Sequence, residues 1–164
     1  SAASDVYKRQ LFIISDEVYA RMIYDESCKF SSPSSFDSCL ERTIVINGFS
    51  KAFAMTGWRV GVVIAPVDVS AKITMLSESI VSCVPGFIQD GARAAILCPI
   101  STTAKMYSIY RRRQLNICSQ LASAGLDTTY PPQGAMYVFP SIHKYSNDSE
   151  QFAKHILKLS LIHI

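Results

Sequence analysis

An α/β fold, in which a mostly parallel sheet covered by helices leads into the start of an α+β unit, is predicted by three features of this chain. Short apolar runs at 11–14, 43–46 and 58–65 read as strands, and runs without alternation suggest a sheet covered on both faces. Polar or turn-forming residues stop each run: Ser15-Asp16, Asn47-Gly48 and Pro66. After residue 67 the apolar spacing becomes helical.

The first run, Leu11-Phe12-Ile13-Ile14, reads as a buried strand that presents Asp16 at its carboxyl end. Residues 17–24 suit either a helix start or a turn. The polar stretch 25–39, with Ser31-Ser32-Pro33-Ser34-Ser35, reads as a surface loop. The second run, Thr43-Ile44-Val45-Ile46, is followed by a loop holding Ser50, Lys51 and Gly57, and the third begins at Trp58. Val69, Ile73, Leu76 and Ile80 recur at helical spacing and predict a helix over 68–78. Pro85-Gly86 separates it from a second helix over 87–97. A long amphipathic helix over 102–124 should close at Gly125, which suits a left-handed cap. Residues 127–130, 131–134 and 135–139 read as strand, turn and strand, and a last helix starts at Ser149. A domain boundary is expected near residue 100.

The two ends read as foreign to the rest. Back-translating 5–10 as GAT GTG TAT AAG AGA CAG gives a reverse complement that encodes Leu-Ser-Leu-Ile-His-Ile, the sequence of 159–164. This inverted repeat resembles the end of a transposase-based sequencing adaptor. Residues 1–10 and 159–164 are therefore expected to be processing scars without functional content, with the stretch between them an internal piece of a longer protein.

Composition excludes several function classes. The chain is 49% hydrophobic and 18% charged with a net charge of +3, ordinary for a globular protein. Arg111-Arg112-Arg113 is the one basic cluster, and on a helix these side chains point to different faces, so nucleic-acid binding is not expected. No apolar run reaches membrane-spanning length. The five cysteines, Cys28, Cys39, Cys83, Cys98 and Cys118, lack metal spacing, and an odd, scattered set reads as reduced thiols of a cytoplasmic protein. No metal site is expected.

Two segments carry chemistry. One is Ser15-Asp16-Glu17-Val18-Tyr19; the other runs Asn47-Gly48-Phe49-Ser50-Lys51-Ala52-Phe53-Ala54-Met55-Thr56-Gly57-Trp58-Arg59-Val60-Gly61. A lysine in a loop directly after a buried strand is a candidate nucleophile, because partial loss of water favours the free amine. Eight residues on, Arg59 could grip a phosphate with paired hydrogen bonds. Asp16 sits at the mouth of a strand, where ligands collect in open α/β sheets, and Tyr19 can reach the same mouth. Each residue alone has an ordinary reading: a solvated lysine, an aspartate capping a helix, an arginine stacked on a tryptophan. Their joint order and spacing is what singles them out.

That combination resembles the class I and II aminotransferases of the fold-type I pyridoxal-phosphate enzymes. Residues 50–61 look like the cofactor-attachment signature throughout, and Asp16 with Tyr19 matches the family's Asp-x-x-Tyr element. Gln133-Gly134-Ala135-Met136-Tyr137-Val138-Phe139 is similar to a small-domain hairpin of the family. The resemblance implies that 11–100 is the C-terminal half of the cofactor-binding large domain and that 101–158 starts the small domain. It implies that Lys51 carries pyridoxal 5'-phosphate as an aldimine and shuttles a proton at the substrate Cα. Asp16 would pair with the pyridine nitrogen, Tyr19 with O3′ and Arg59 with the phosphate, helped weakly by Ser50. Some relatives have a hydroxyl residue three positions before the lysine; Gly48 stands there, so that contact is absent or supplied otherwise. The parent would be a homodimer that moves an amino group from an L-amino acid to a 2-oxo acid. The phosphate loop, the ring-stacking aromatic and the substrate-carboxylate arginine fall outside this chain, so the piece itself is expected to be inactive. Two other outcomes stay open: a C–S lyase using the same cofactor, and the aminotransferase-like sensor domain of a transcription regulator.

Overall fold

The computed structural model describes residues 11–24, 27–36, 39–99, 101–126, 128 and 130–159. Apart from Leu159, the two proposed scars lie outside these residues, as do positions 127 and 129 of the expected hairpin. The chain divides into two compact units, Ser1–Tyr107 and Ser108–Ile164.

The first unit is built on three strands, β1 (Ile13–Asp16), β2 (Thr43–Gly48) and β3 (Gly61–Ile64), in the order β1-β2-β3. The pair β1·β2 is parallel, with Asp16 opposite Ile46. The pair β2·β3 is antiparallel, with Gly48 opposite Gly61. The sheet is therefore small and mixed. The chain leaves β2 and re-enters at β3 through residues 49–60 alone, with no crossover back to the far end of the sheet, so the two strands must run in opposite directions.

Burial is uneven across this partial sheet. Thr43 and Val45 are buried on one face of the sheet. On the other face Ile14, Ile46 and Val63 remain 69%, 39% and 44% exposed, and β3 is exposed along its whole length, so among the described residues the sheet is covered mainly over β2 at Thr43 and Val45. Accordingly β1 alternates half-buried and exposed positions rather than being buried throughout.

Residues 17–24 form turns, not a helix: Ala20 N–H donates to the Glu17 carbonyl and Met22 N–H to that of Tyr19. A four-residue helical turn, α1 (Phe49–Ala52), opens the loop after β2, and a 3-10 turn, Thr56–Trp58, follows. Two helices come next, α2 (Val67–Val81) and α3 (Gly86–Leu97), both entered from a proline, whose fixed φ suits a helix start. In α2 the predicted apolar stripe is only partly used: Val69 and Ile73 are half-buried, while Leu76 and Ile80 are exposed. In α3, Ala92 is buried against Phe49 and Met55, and Phe53, Val60 and Ala95 pack around them. This cluster, one part of a core that also buries Met22, Tyr24 and Val45, is formed largely by the loop that joins β2 to β3.

The helix α4 (Ser101–Ser123) ends as its sequence predicts. Gly125 takes φ +81°, Leu126 N–H donates to the Leu121 carbonyl (2.9 Å), and Gly125 N–H donates to that of Ala122 (3.0 Å). This doubly bonded left-handed cap satisfies carbonyls that the helix leaves unpaired. The second unit also contains α5 (Ser149–Leu159), capped by the Asp148 carboxylate, which accepts from Gln151 N–H at 2.9 Å. Residues 135–139 are not a strand. Ala135 has φ +61°, which breaks an extended run at its first residue, and Pro140 closes the segment; Phe139 is 99% exposed.

Gly91 on α3 packs against the Trp58 ring, so a methyl group added there would overlap the indole. Gly86, one turn earlier, faces open space. Gly91→Ala should therefore lower stability by about 1–3 kcal/mol, whereas Gly86→Ala should be neutral or raise it by about 0.4–1 kcal/mol. Urea midpoints of the two variants, compared at equal slope, decide between this packing and a loosely held Trp58.

Candidate active site at the rim of the sheet

The parallel pair β1·β2 brings two chain segments out at the same edge. β1 ends on Asp16, whose partner Ile46 lies five residues before Lys51. β3 returns to this edge from Arg59, two residues before the Gly61–Gly48 pair. Asp16, Ser50, Lys51 and Arg59 are thus drawn to one rim by strand register alone.

The loop that carries Lys51 is fixed from below. Phe49, Ala52 and Met55 are buried, while Ser50 and Lys51 between them are half-buried. The Phe49 and Phe53 rings stack with centroids 5.6 Å apart, and Arg21 lies over the Phe53 ring. Met55 N–H and Phe53 N–H both donate to the Phe49 carbonyl, and Tyr107 Oη donates to that of Ala52 at 3.3 Å. Two residues of the loop, Ala54 (φ 55°) and Arg59 (φ 52°), adopt the left-handed conformation. Each costs roughly 1–2 kcal/mol. Burial of Phe49 and Met55 stabilises by about 1.5–3 kcal/mol apiece, so the anchor outweighs the strain and the sharp path of the loop is held.

At the rim, Lys51 Nζ lies 6.0 Å from the centroid of the Tyr19 ring. Asp16 is exposed, and its Oδ1 accepts from Val18 N–H at 3.2 Å, which fixes the turn that presents Tyr19. Arg59 is exposed and donates from Nη1 to the Thr56 carbonyl at 3.0 Å. Its guanidinium is folded back on its own loop, with further N–H groups left to offer. Ser50 precedes Lys51 in the same helical turn. The Lys51 amine thus faces the Tyr19 ring, Asp16 lies three residues before Tyr19 and holds the same turn through Val18 N–H, and Arg59 sits at the same edge with its side chain turned to Thr56.

One residue escaped the sequence reading. Glu17 follows Asp16 and is 8% exposed; its carboxylate accepts from Ser15 Oγ (3.1 Å) and Ser32 Oγ (2.5 Å). Alternation along a strand gives a signal for it: if Asp16 faces the rim, the next acid must turn inward. Its partner Ser32, fifteen residues away, carries no such signal.

The fold is α/β with a small mixed sheet, and comparison with known proteins gives the family. Residues 3–163 match the family described as aminotransferase class I and II, and the chain belongs to it. It is 40% identical over 152 residues to the aspartate aminotransferase of Pyrococcus abyssi, covering 92% of this chain and 39% of that one. It is 39% identical over 153 residues to the aromatic-amino-acid aminotransferase 2 of Thermococcus litoralis, with 92% and 39% coverage. The crystal structure of an aromatic aminotransferase from Pyrococcus horikoshii OT3 superposes with a TM-score of 0.85 at 39% identity, over 96% of this chain and 42% of that one. The chain thus spans about two fifths of the length of these relatives.

If the buried phenylalanine anchors the lysine loop, Phe49→Ala should cost about 3–5 kcal/mol, and Ser50→Ala, one residue on, under about 0.5 kcal/mol. Equal losses in urea unfolding would contradict the anchoring.

Proposed function

We propose that this chain carries the lysine-bearing half of the active site of a pyridoxal-phosphate-dependent aminotransferase, which moves an amino group from an L-amino acid to a 2-oxo acid. The observation that carries the reading is Lys51 on an anchored helical turn, its amine 6.0 Å from the Tyr19 ring at the carboxyl end of the parallel strand pair. The donor set at this rim fits the cofactor: an amine for its aldehyde, a carboxylate for its pyridine nitrogen, a phenol for O3′ and a guanidinium for its phosphate.

When bound, pyridoxal phosphate supplies an electron sink for negative charge at the substrate Cα. In this reading Lys51 would hold the cofactor covalently, and its free amine would accept the proton from the substrate Cα and return it. Asp16 keeps the ring nitrogen protonated by an opposing charge. Tyr19 donates its phenol proton toward O3′. Arg59 would hold the phosphate, since a charged acceptor makes a stronger hydrogen bond than the Thr56 carbonyl, and Ser50 would add a weaker contact. Residues 11–100 then form the C-terminal half of a cofactor-binding domain and 101–158 the start of a smaller one, in a cytoplasmic homodimeric parent. Because the phosphate loop, the ring-stacking aromatic and the substrate-carboxylate arginine are assigned to segments outside this chain, it binds cofactor weakly and does not transaminate alone.

Borohydride reduction in the presence of pyridoxal phosphate, followed by peptide mass mapping, should label Lys51 ahead of Lys72, Lys105 and Lys154. Lys51→Ala should abolish that label without raising any other. Labelling spread evenly over the surface lysines would contradict the site, and turnover of an amino donor by the chain would contradict its inactivity.

Arg59→Gly retains the left-handed backbone while removing the guanidinium. It should leave urea stability within about 1 kcal/mol, since relief of strain and the entropy of glycine nearly cancel. The pyridoxal phosphate concentration needed for half-maximal labelling should rise about 10- to 100-fold, as expected for a lost charged hydrogen bond; an unchanged concentration would remove Arg59 from the phosphate site.

A further inference from the structure

Glu17 is a buried acid placed between two rim residues, and its connections run in three directions. Its backbone N–H donates to the Ile46 carbonyl at 2.8 Å, which extends the parallel pairing one residue past β1. Its carbonyl accepts from Ala20 N–H at 2.9 Å and so closes the turn that carries Tyr19. Its carboxylate reaches segment 32–35: Ser32 Oγ spends its only proton on Glu17 Oε1, at 2.5 Å. The Ser32 oxygen must then be the acceptor for Ser34 Oγ at 2.7 Å and for Ser34 N–H at 3.2 Å. That last bond caps the 3-10 turn Pro33–Ser35, whose first residue is a proline with φ already set. Ser15 Oγ, on the strand itself, completes the network at 3.1 Å.

A carboxylate this deeply placed is costly unless its bonds are kept, so segment 32–35 and the end of β1 are tied to one another. We infer that Glu17 is a positioning residue for the rim: by clamping Ser32 to the end of β1 it fixes the direction of Asp16 on one side and of Tyr19 on the other, and so sets their approach to Lys51. The inference rests on the proposed cofactor role of that rim. It makes the polar loop 27–36 part of the site's support rather than a plain connection. Geometry, not charge, is what the clamp needs, because both hydroxyls share one oxygen of the carboxylate.

The test uses the full chain and two readouts: the pyridoxal phosphate concentration for half-maximal borohydride labelling of Lys51, and amide hydrogen exchange at Ala20 and Ser34. Glu17→Ala should raise the labelling concentration about tenfold and speed both amides. Glu17→Gln, which keeps an acceptor oxygen in place, should restore both to near the parent values. Ser32→Ala, the gentler variant if Glu17→Ala folds poorly, should act in the same direction, and the double variant should go no further than Glu17→Ala alone. Asp148→Ala, which removes the cap of α5 in the other unit, should lower thermal stability without moving the labelling concentration. If Glu17→Ala and Ser32→Ala lower stability but leave labelling where it was, Glu17 is structural only and the inference is overturned. If the parent chain itself fails to label at Lys51, the cofactor reading fails; unchanged exchange at Ala20 and Ser34 would then overturn the clamp as well, while faster exchange would retain it.

Discussion

The contact between Phe49, Met55 and Ala92 is the constraint from which the site follows. Residues 49–60 leave β2 and rejoin the sheet at β3 within twelve positions, and Gly48 lies opposite Gly61. A span so short can expose a lysine at a fixed place only if something holds its underside. The buried phenylalanine and methionine do this, and they allow two left-handed residues to persist where an unanchored loop would relax. Without that core, Lys51 would be an ordinary solvated side chain on a loose connection.

Strand direction then gathers the remaining groups. A parallel β1·β2 pair ends at the same edge, so Asp16 and the start of the lysine loop are neighbours although 35 positions separate Asp16 from Lys51. The antiparallel return of β3 delivers Arg59 to that edge from the other side. Tyr19 arrives through a turn whose bonds run to Asp16 and Glu17. The backbone of each group at the rim is thus placed by strand register, turn bonds and the Phe49 anchor, while the exposed Arg59 side chain is held on the Thr56 carbonyl.

Much of this was legible in the sequence, for physical reasons that differ by element. The three β-branched runs gave the strands because apolar side chains must leave water together, and the 3.6-residue spacing after residue 67 gave α2 and α3. Gly125 announced the end of α4 because a left-handed cap suits no other residue as well. What was not legible depends on partners distant in sequence. The direction of β3 depends on where the chain returns, and apolar content says nothing of it. Residues 135–139 have strand-like composition, but Ala135 turns left-handed and the extended run does not form. Ile14, Ile46 and Val63 read as core and are open on one face. For the proposed site, Lys51, Asp16, Tyr19 and Arg59 are singled out by their order and spacing in the chain. Glu17 was hidden because its meaning lies in Ser32, a residue in a loop with no pattern of its own.

The position of bound cofactor is the most direct test of the proposed site. A crystal structure of this chain soaked with pyridoxal phosphate should place the aldehyde carbon on Lys51 Nζ, the ring nitrogen against Asp16, O3′ near Tyr19 and the phosphate on Arg59. A structure with the cofactor bound to some other lysine, or with these four side chains facing separate surfaces, would contradict it.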